Sequence, residues 1–490
     1  MNPSISASFL FGSPQQQLIT TTTLFRFTDL LDFFFIAHPE SGRKEGEESQ
    51  RILYFTPNTE SIDKQTQITG FAEAVVNFTT NFTSEDDAKL SDYPHRFVGT
   101  AKQFHVYLML ESDSFLMGVA LNKEKCSTQD YVLHAKTIKA VLITGYRMFR
   151  LFFGTFAKLI ADGRETLISR LEYFFSRYLH LLRLHQMPLV DLFDGVDFLP
   201  LDSVNFLRVE NLLGQLKESF PMIDKVLFLY QDRLLSYSIP KNDLAVLFKY
   251  LTQNLLKMSL TAELQPEFQV SWGASAPAHR GKFITGPKDL SAEAVIANAK
   301  DCKLPVVYLS ENENSNNLTP YELIVYRALN ATVCMFVSQD VDINFLRDLD
   351  AMLGPELSSV ASLIGDSVGS LNSELKPDHD FHYVYYNPAT LSLKTSFYES
   401  SVEPSRLTSL TPLPSAMCRL ACDVVDQLVN EGDFGEVSVK AESDWWLIVK
   451  RVNGRLLLLF IPNQSAWNLS DVYQYSNDII KSHFESIFLI

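Results

Sequence analysis

One arrangement occurs three times along this chain: two short apolar runs, a helical stretch, further apolar runs and a closing helix. The first copy opens at 32–57, where DFFFIAHP and RILYFTP flank the charged GRKEGEE. It continues through ITGFAEAVVNFTTNF (68–82), strand-like runs at 95–111 and 114–122, and helices over about 130–161 and 165–185. The second opens at KVLFLYQDRLLSYSI (225–239), then a helix at 243–256, strand candidates at 282–285, 304–309 and 322–337, and a helix at about 343–364. The third opens at DFHYVYYNPATLSLKTSFY (380–398) and continues with a helix at 415–431. A hairpin, DWWLIVKR-VNGR-LLLLFIP, and a helix at 469–484 close it. Asn453-Gly454 has the positive-φ preference of a type I′ hairpin turn. Apolar runs of strand length bounded by Pro, Gly or Asn read as strands, and longer amphipathic stretches as helices. The pattern predicts an α+β fold of three units, each an antiparallel sheet with helices on its faces. A Ser/Thr/Gln-rich stretch over 1–23 reads as a flexible tail, with linkers near 186–222 and 369–380.

Composition narrows the function classes. Apolar residues make up 46% of the 490 and charged residues 20%, a balance that supports packed cores rather than disorder. The net charge of −16 lacks the basic footprint that phosphate neutralisation requires, so nucleic acid is not an expected partner. Five scattered cysteines fit a reducing compartment better than a disulfide framework. The N-terminal MNPSISASFLFGSPQQQ lacks a basic n-region and a sustained apolar core, and no apolar run is long enough to span a bilayer. A cytoplasmic protein is expected.

The motifs that could carry chemistry fail on context. GDSVG (365–369) matches the G-x-S-x-G nucleophile elbow, which needs a strand-to-helix turn around Ser367. Here the preceding residues continue a helix, so the expectation is a helix ending at Gly365 or Gly369. DVDINFLRDLDA (340–351) begins like a calcium loop but has Phe345 where the turn glycine belongs and Ala351 where the bidentate Glu belongs. DHDFH (378–382) offers His379 and His382 without a partner cluster at ligand spacing. Neither a metal nor a cofactor is expected.

Two features invite an interaction reading. From Tyr131 to Ile160 there is no acidic residue. At helical spacing Ile138, Val141, Leu142, Phe149, Phe152, Phe153, Phe156 and Ile160 form one apolar stripe, with Lys136, Lys139, Arg147, Arg150 and Lys158 on the opposite arc. That arc is either the solvated face of a core helix or a face for anionic lipid, phosphoinositide or an acidic protein. In Trp445-Trp446, alternation sends one indole to each face of its strand, and the second is either exposed at an interface or covered by the closing helix.

The blocks GRKEGEESQRILYFTP, GTFAKLIADGRETLISRLEYFFSRYL, FLPLD, VLFLYQDRLLSYSI, GKFITGP, YELIVYRALNATVCMFVS, LDAMLGPEL and VKAESDWWLIVKR stand in a specific order and spacing. In them the chain resembles the calcium-caffeine-zinc sensitivity (CCZ) family of vacuolar fusion proteins. The resemblance implies three longin domains, placed at 24–215 (with following helices), 216–372 and 373–490. It further implies a heterodimer with a MON-family (monensin sensitivity) longin subunit that acts as a guanine nucleotide exchange factor for the late-endosomal Rab GTPase, Rab seven. A third, propeller-containing subunit is added in animal complexes. The implied setting is peripheral recruitment to late endosome, lysosome or vacuole membranes, in vesicle fusion and autophagy. In the family the first longin domains form the platform for the GTPase. The candidate interface here is therefore Arg43, Glu45, Glu47 and Glu48 on the hairpin loop with Gly70, Glu73 and Asn77 on the helix after it. Phe71, Val75 and Phe78 of that helix are assignable to the core, which leaves only its polar residues as interface candidates. Two alternatives belong to other classes: a longin trafficking adaptor or scaffold without exchange activity, and a hydrolase using Ser367.

Overall fold

The computed structural model describes residues 24–80, 82, 93–257, 281–287, 290, 304–312, 317–338, 341–374, 381–397, 413–430, 435–442, 444–463 and 467–484. In chain order the first unit comprises β1 (Leu24–Arg26), β2 (Leu31–Ala37), β3 (Ile52–Thr56), α1 (Ile62–Thr80), β4 (His95–Gly99), β5 (Gln103–Leu110) and β6 (Phe115–Asn122). Helices α2 (Ala135–Phe153), α3 (Phe156–Asp162) and α4 (Arg164–Leu181) follow, then β7 (Arg183–His185), which pairs with β1. Helices α5 (Pro188–Phe193) and α6 (Ser203–Ser219) lead to the second unit: β8 (Ile223–Tyr230), β9 (Arg233–Tyr237), α7 (Lys241–Tyr250), β10 (Gly281–Phe283), β11 (Val306–Ser310), β12 (Leu318–Ala328), β13 (Ala331–Val337) and α8 (Ile343–Glu374). The third is β14 (His382–Asn387), β15 (Ser392–Thr395), α9 (Ser415–Asn430), β16 (Gly435–Lys440), β17 (Trp445–Val452), β18 (Arg455–Pro462) and α10 (Leu469–His483).

The three sheets share one topology. In each, the first strand of the opening hairpin pairs antiparallel with the last strand before the closing helix: β2 with β6, β8 with β13, β14 with β18. The orders β3-β2-β6-β5-β4 and β15-β14-β18-β17-β16 are equivalent, and the second sheet differs only in that β10 and β11 both pair with β12. Side-chain alternation explains why the runs are apolar throughout: both faces are covered. Phe34 and Ile36 of β2 join the core under α2 and α4, while Phe33, Phe35 and Ala37 pack toward Ala72 of α1. Asn453 (φ 50) and Gly454 (φ 74) form the expected turn between β17 and β18. Trp445 packs with α9 and Trp446 with α10, so the closing helix does cover the second indole.

Several expectations are corrected. The helix expected over 130–161 is broken at Gly154 (φ 82). There the Glu111 carboxylate accepts the Phe156 and Ala157 amides at 2.6 and 2.7 Å and starts α3 afresh. The helix expected to stop at Gly365 or Gly369 instead runs to Glu374, so GDSVG lies within α8. β16 escaped notice because GEVSVK is a half-buried edge strand of mixed polarity.

The span 186–222, read as a linker, is instead a structural joint. Leu189 and Val190 of α5 enter the third unit's core, and Val209, Leu212, Leu213 and Leu216 of α6 enter the second's. Between them Val196 bridges in parallel to Ser392 at the start of β15, and Phe198 to Leu234 of β9. One short segment thus covers an edge of two sheets, a device that also prevents stray edge pairing. The close approach requires Gly195, where an added Cβ would lie 2.4 Å from Leu393 Cβ and 2.8 Å from the Leu391 carbonyl. Gly195→Val is expected to cost about 1–3 kcal/mol by overpacking, read as a lower urea midpoint; an unchanged midpoint would contradict the joint.

Candidate protein-interaction face

The helix after the opening hairpin occurs in each unit as α1, α7 and α9, and its outer face has a different fate each time. α7 is buried against α2: Phe152 meets Tyr250 edge-to-face at 4.7 Å, and Leu244, Val246, Leu247 and Leu251 are all buried. α9 buries Met417, Cys418, Ala421, Cys422, Val424, Val425 and Leu428 together with Met187, Leu189 and Val190 from the α5 region. Among the described residues α1 has no such cover. Ile62 is 64% exposed, Phe71 48% and Phe78 67%, and Phe82 just beyond the helix is 74% exposed.

Helical geometry explains the division. Ile68, Ala72, Val75 and Val76 face the sheet and suffice to cover Phe33, Phe35, Phe55 and Tyr107. Phe71 and Phe78 project from the flank over β4 and β5, where Phe71 meets His105 edge-to-face at 6.3 Å and Phe78 meets Phe82 at 5.1 Å. Of the three apolar residues left assignable to the core, Val75 packs inward, whereas Phe71 and Phe78 are displayed. Gly70, Ala74 and Asn77 form the outermost ridge. A Cβ placed on Gly70 would meet nothing within 4 Å. A mid-helix glycine costs about 1 kcal/mol relative to Ala, and no neighbouring atom of the chain accounts for it here.

The 42–48 loop lies on the opposite flank of α1. Its conformation is organised: Glu47 N donates to the Lys44 carbonyl at 3.1 Å, and Gly46 N donates to the Glu48 carboxylate at 3.2 Å. The backbone amides of Glu48 and Gly46 lower the Glu48 pKa. Arg43 pairs with Glu40 at 2.6 Å on the surface, and Glu45 is exposed. Glu73 differs from its fellow candidates. It is largely buried, its pKa is raised by desolvation against the opposing charge of Arg51, and it bonds Arg51 Nη1 at 2.8 Å. The structure thus brings the loop and α1 together, with Glu73 between them and not on the surface. The aromatic flank escaped the sequence reading, although FAEAVVNF carries more large apolar residues than one inward stripe can use.

The basic arc of α2 and α3 does not form one open face. Arg150 is buried and pairs with Asp243 of α7 at 3.4 Å. Lys136 reaches Asp426 of α9 at 3.0 Å, and His134 meets the same carboxylate at 3.2 Å. Arg147 is half-buried with its guanidinium 5.5 Å from the Tyr93 ring centre, and Lys139 is half-buried near His95. Lys158 is exposed, over the Tyr308 ring of β11 at 5.6 Å. The reason is that α2 is flanked on several sides: Lys136 and Arg150 face carboxylates of the other two units, while Arg147 and Lys139 face Tyr93 and His95 of their own.

Ser367 donates to the Asp202 carboxylate at 3.2 Å from the middle of α8, so the strand-to-helix turn of a nucleophile elbow is absent at that serine. Cys126, Cys334, Cys418 and Cys422 are buried, and burial raises their pKa values, which suits packing rather than nucleophilic chemistry. Among the described residues, no group of His, Cys, Asp and Glu is arranged to hold a metal. His379 lies outside the described residues.

Family models match all three units. The first longin domain of INTU, CCZ1 and HPS4 matches residues 31–154, Intu longin-like domain 2 matches 223–354, and Intu longin-like domain 3 matches 378–479. The three sheets are thus longin-like, in the α+β class the sequence pattern predicts. Among curated proteins, the vacuolar fusion protein CCZ1 homolog of Xenopus laevis is 30% identical over 483 residues, covering 95% of this chain and 98% of its own. That of Nematostella vectensis is 30% identical over 471 residues, covering 93% and 97%. That of Dictyostelium discoideum is 24% identical over 462 residues, covering 89% and 93%.

Proposed function

The chain belongs to the CCZ1 family of vacuolar fusion proteins, and from that premise we propose that it is one subunit of a guanine nucleotide exchange factor for a late-endosomal Rab GTPase. Its partner in this reading is a MON-type longin subunit, and the face that meets the partner or the GTPase is α1 with the 42–48 loop. The observation that carries the proposal is the uncovered α1. Its counterparts α7 and α9 bury their apolar residues within the chain, whereas α1 displays Phe71 and Phe78 beside an open glycine ridge. Aromatic side chains in such a position are the residues that most often dominate a protein interface.

Exchange needs no covalent step. A factor that binds the emptied GTPase more tightly than the nucleotide-bound form shifts the equilibrium toward release by that difference in affinity alone. The chain's task is to present a preformed surface that fits switch loops displaced from the nucleotide and its Mg²⁺. Recruitment to a vacuolar or late-endosomal membrane is peripheral in this proposal. Among the described residues no helix is long and apolar enough to cross a bilayer. Because Arg150 is buried and Lys136 is paired within the chain, any lipid contact passes elsewhere than through the basic arc as a whole.

The deciding experiment is release of fluorescent GDP from the Rab with this chain alone, with the partner subunit alone, and with both. Acceleration by the pair supports the proposal. A stable pair that leaves release at its intrinsic rate instead supports a longin scaffold. Within the active pair, Glu45→Lys with Glu47→Lys and Glu48→Lys is expected to slow assembly or exchange by about tenfold through lost steering, with the thermal midpoint retained. Normal assembly and exchange would reduce the loop to a connection. Gly70→Arg is expected to hold or raise stability by up to about 1 kcal/mol while blocking the ridge; undiminished pairing and exchange would move the interface off α1.

A further inference from the structure

The loop between β2 and β3 is held to α1 by one side chain that serves both. Arg51 Nη1 donates to Glu73 Oε2 of α1 at 2.8 Å, and its Nε donates to the Gly42 carbonyl at the start of the loop at 3.2 Å. The two side chains are 25% and 11% exposed. The Arg51 carbonyl accepts the His38 amide at 2.8 Å, closing the base of the loop. On the far side Arg164 of α4 donates to the Gln50 and Ile52 carbonyls at 2.8 and 3.2 Å, so the segment is gripped from two helices.

Stability is a poor reason for this arrangement. The other Glu73 oxygen, Oε1, is buried without a hydrogen-bond partner among the described residues, and desolvation pushes the carboxyl's pKa upward. A buried ion pair with an unsatisfied oxygen is commonly no more stabilising than apolar residues of similar volume, whereas it does select one geometry among alternatives. The geometry selected is the holding of the 42–48 loop, with Glu45, Glu47 and Glu48, to α1 at Glu73.

We propose that Arg51 and Glu73 are positioning residues for partner recognition: they clamp the acidic loop against α1 so that loop and helix form one preformed surface. This inference rests on the reading of α1 as the partner face. Its physical benefit is a lower ordering cost on binding, since the loop is already in place. The clamp requires a guanidinium, because a single lysine ammonium lacks the planar fork that reaches the carbonyl and the carboxylate together.

Arg43 and Lys44 are exposed trypsin sites within the loop and report directly on the clamp. In the full chain, Arg51→Lys and Glu73→Gln are expected to speed cleavage after Arg43 or Lys44 about tenfold, since proteolysis tracks the open population. The thermal midpoint should change little. The same variants should bind the partner subunit about tenfold more weakly, mainly through faster dissociation. A purely structural pair would lower the midpoint without selective loop cleavage, and Arg51→Lys would rescue a role based on charge alone. Either result overturns the proposal, as does faster cleavage with undiminished partner binding. A wild-type chain that pairs but gives no GDP release sinks the exchange reading alone, because binding still judges the clamp. A wild-type chain that does not pair removes both.

Discussion

A chain carrying Arg150→Glu is expected to lose much of its stability while the same change at Lys158 leaves it intact. Arg150 and Asp243 are both buried, 3.4 Å apart, where α2 of the first unit meets α7 of the second. Asp243 is fixed in place because its second oxygen accepts the Ser310 amide at 2.7 Å, so it cannot turn away from a new negative charge. Removing one partner of a buried ion pair costs about 3–5 kcal/mol, and reversal adds repulsion between two carboxylates with little water to screen them. Against a typical total of about 5–15 kcal/mol, that is a large share. The measurement is a urea titration of each purified variant. Arg150→Glu should shift the midpoint by about 1 M or more at ordinary m-values, whereas exposed Lys158→Glu should stay within about 0.5 kcal/mol of the parent. Arg150→Met with Asp243→Asn retains an acceptor for Ser310 N while removing both charges, and should recover most of the loss. An Arg150→Glu chain with an unchanged midpoint would mean that the α2–α7 contact contributes little.

This contrast marks where sequence reading succeeds and where it stops. The apolar stripe of α2 was legible because 3.6-residue periodicity is a local signal. The fate of the opposite arc was not, since Asp243 and Asp426 lie far away in the chain and only the packed fold brings them to Arg150 and Lys136. The joint at 186–222 was hidden for a related reason. Pro188, Gly195, Pro200 and Pro221 read as punctuation, yet Pro188 opens α5 and Asp202 caps α6 through the Val204 and Asn205 amides. Both are helix-start signals that a linker reading passed over. The threefold plan was recoverable because each hairpin carries its own turn residues and each helix its own stripe. The face of α1 lay between these cases: its loop and polar residues could be singled out as candidates, but a helical wheel cannot say how much of an apolar flank the sheet will use.

That flank sets the second large expectation. Phe71→Asp with Phe78→Asp should weaken capture of the partner subunit or the Rab by on the order of a hundredfold or more, because buried interface aromatics commonly contribute 2 kcal/mol or more each. The isolated chain should remain as stable as the parent: the two rings are 48% and 67% exposed, and Ile68, Ala72, Val75 and Val76 cover the sheet without them. Ala72→Asp supplies the opposite control. Ala72 is fully buried between α1 and the sheet, so a carboxylate there should unfold the first unit and abolish capture by that route. Binding measured by interferometry beside a thermal melt separates the outcomes. Loss of capture with an unchanged melt identifies α1 as the docking helix; loss of both would mean that Phe71 and Phe78 hold the fold; full capture would place the partner on another surface, with exposed Val204, Phe206 and Leu207 at the start of α6 the next apolar patch to examine.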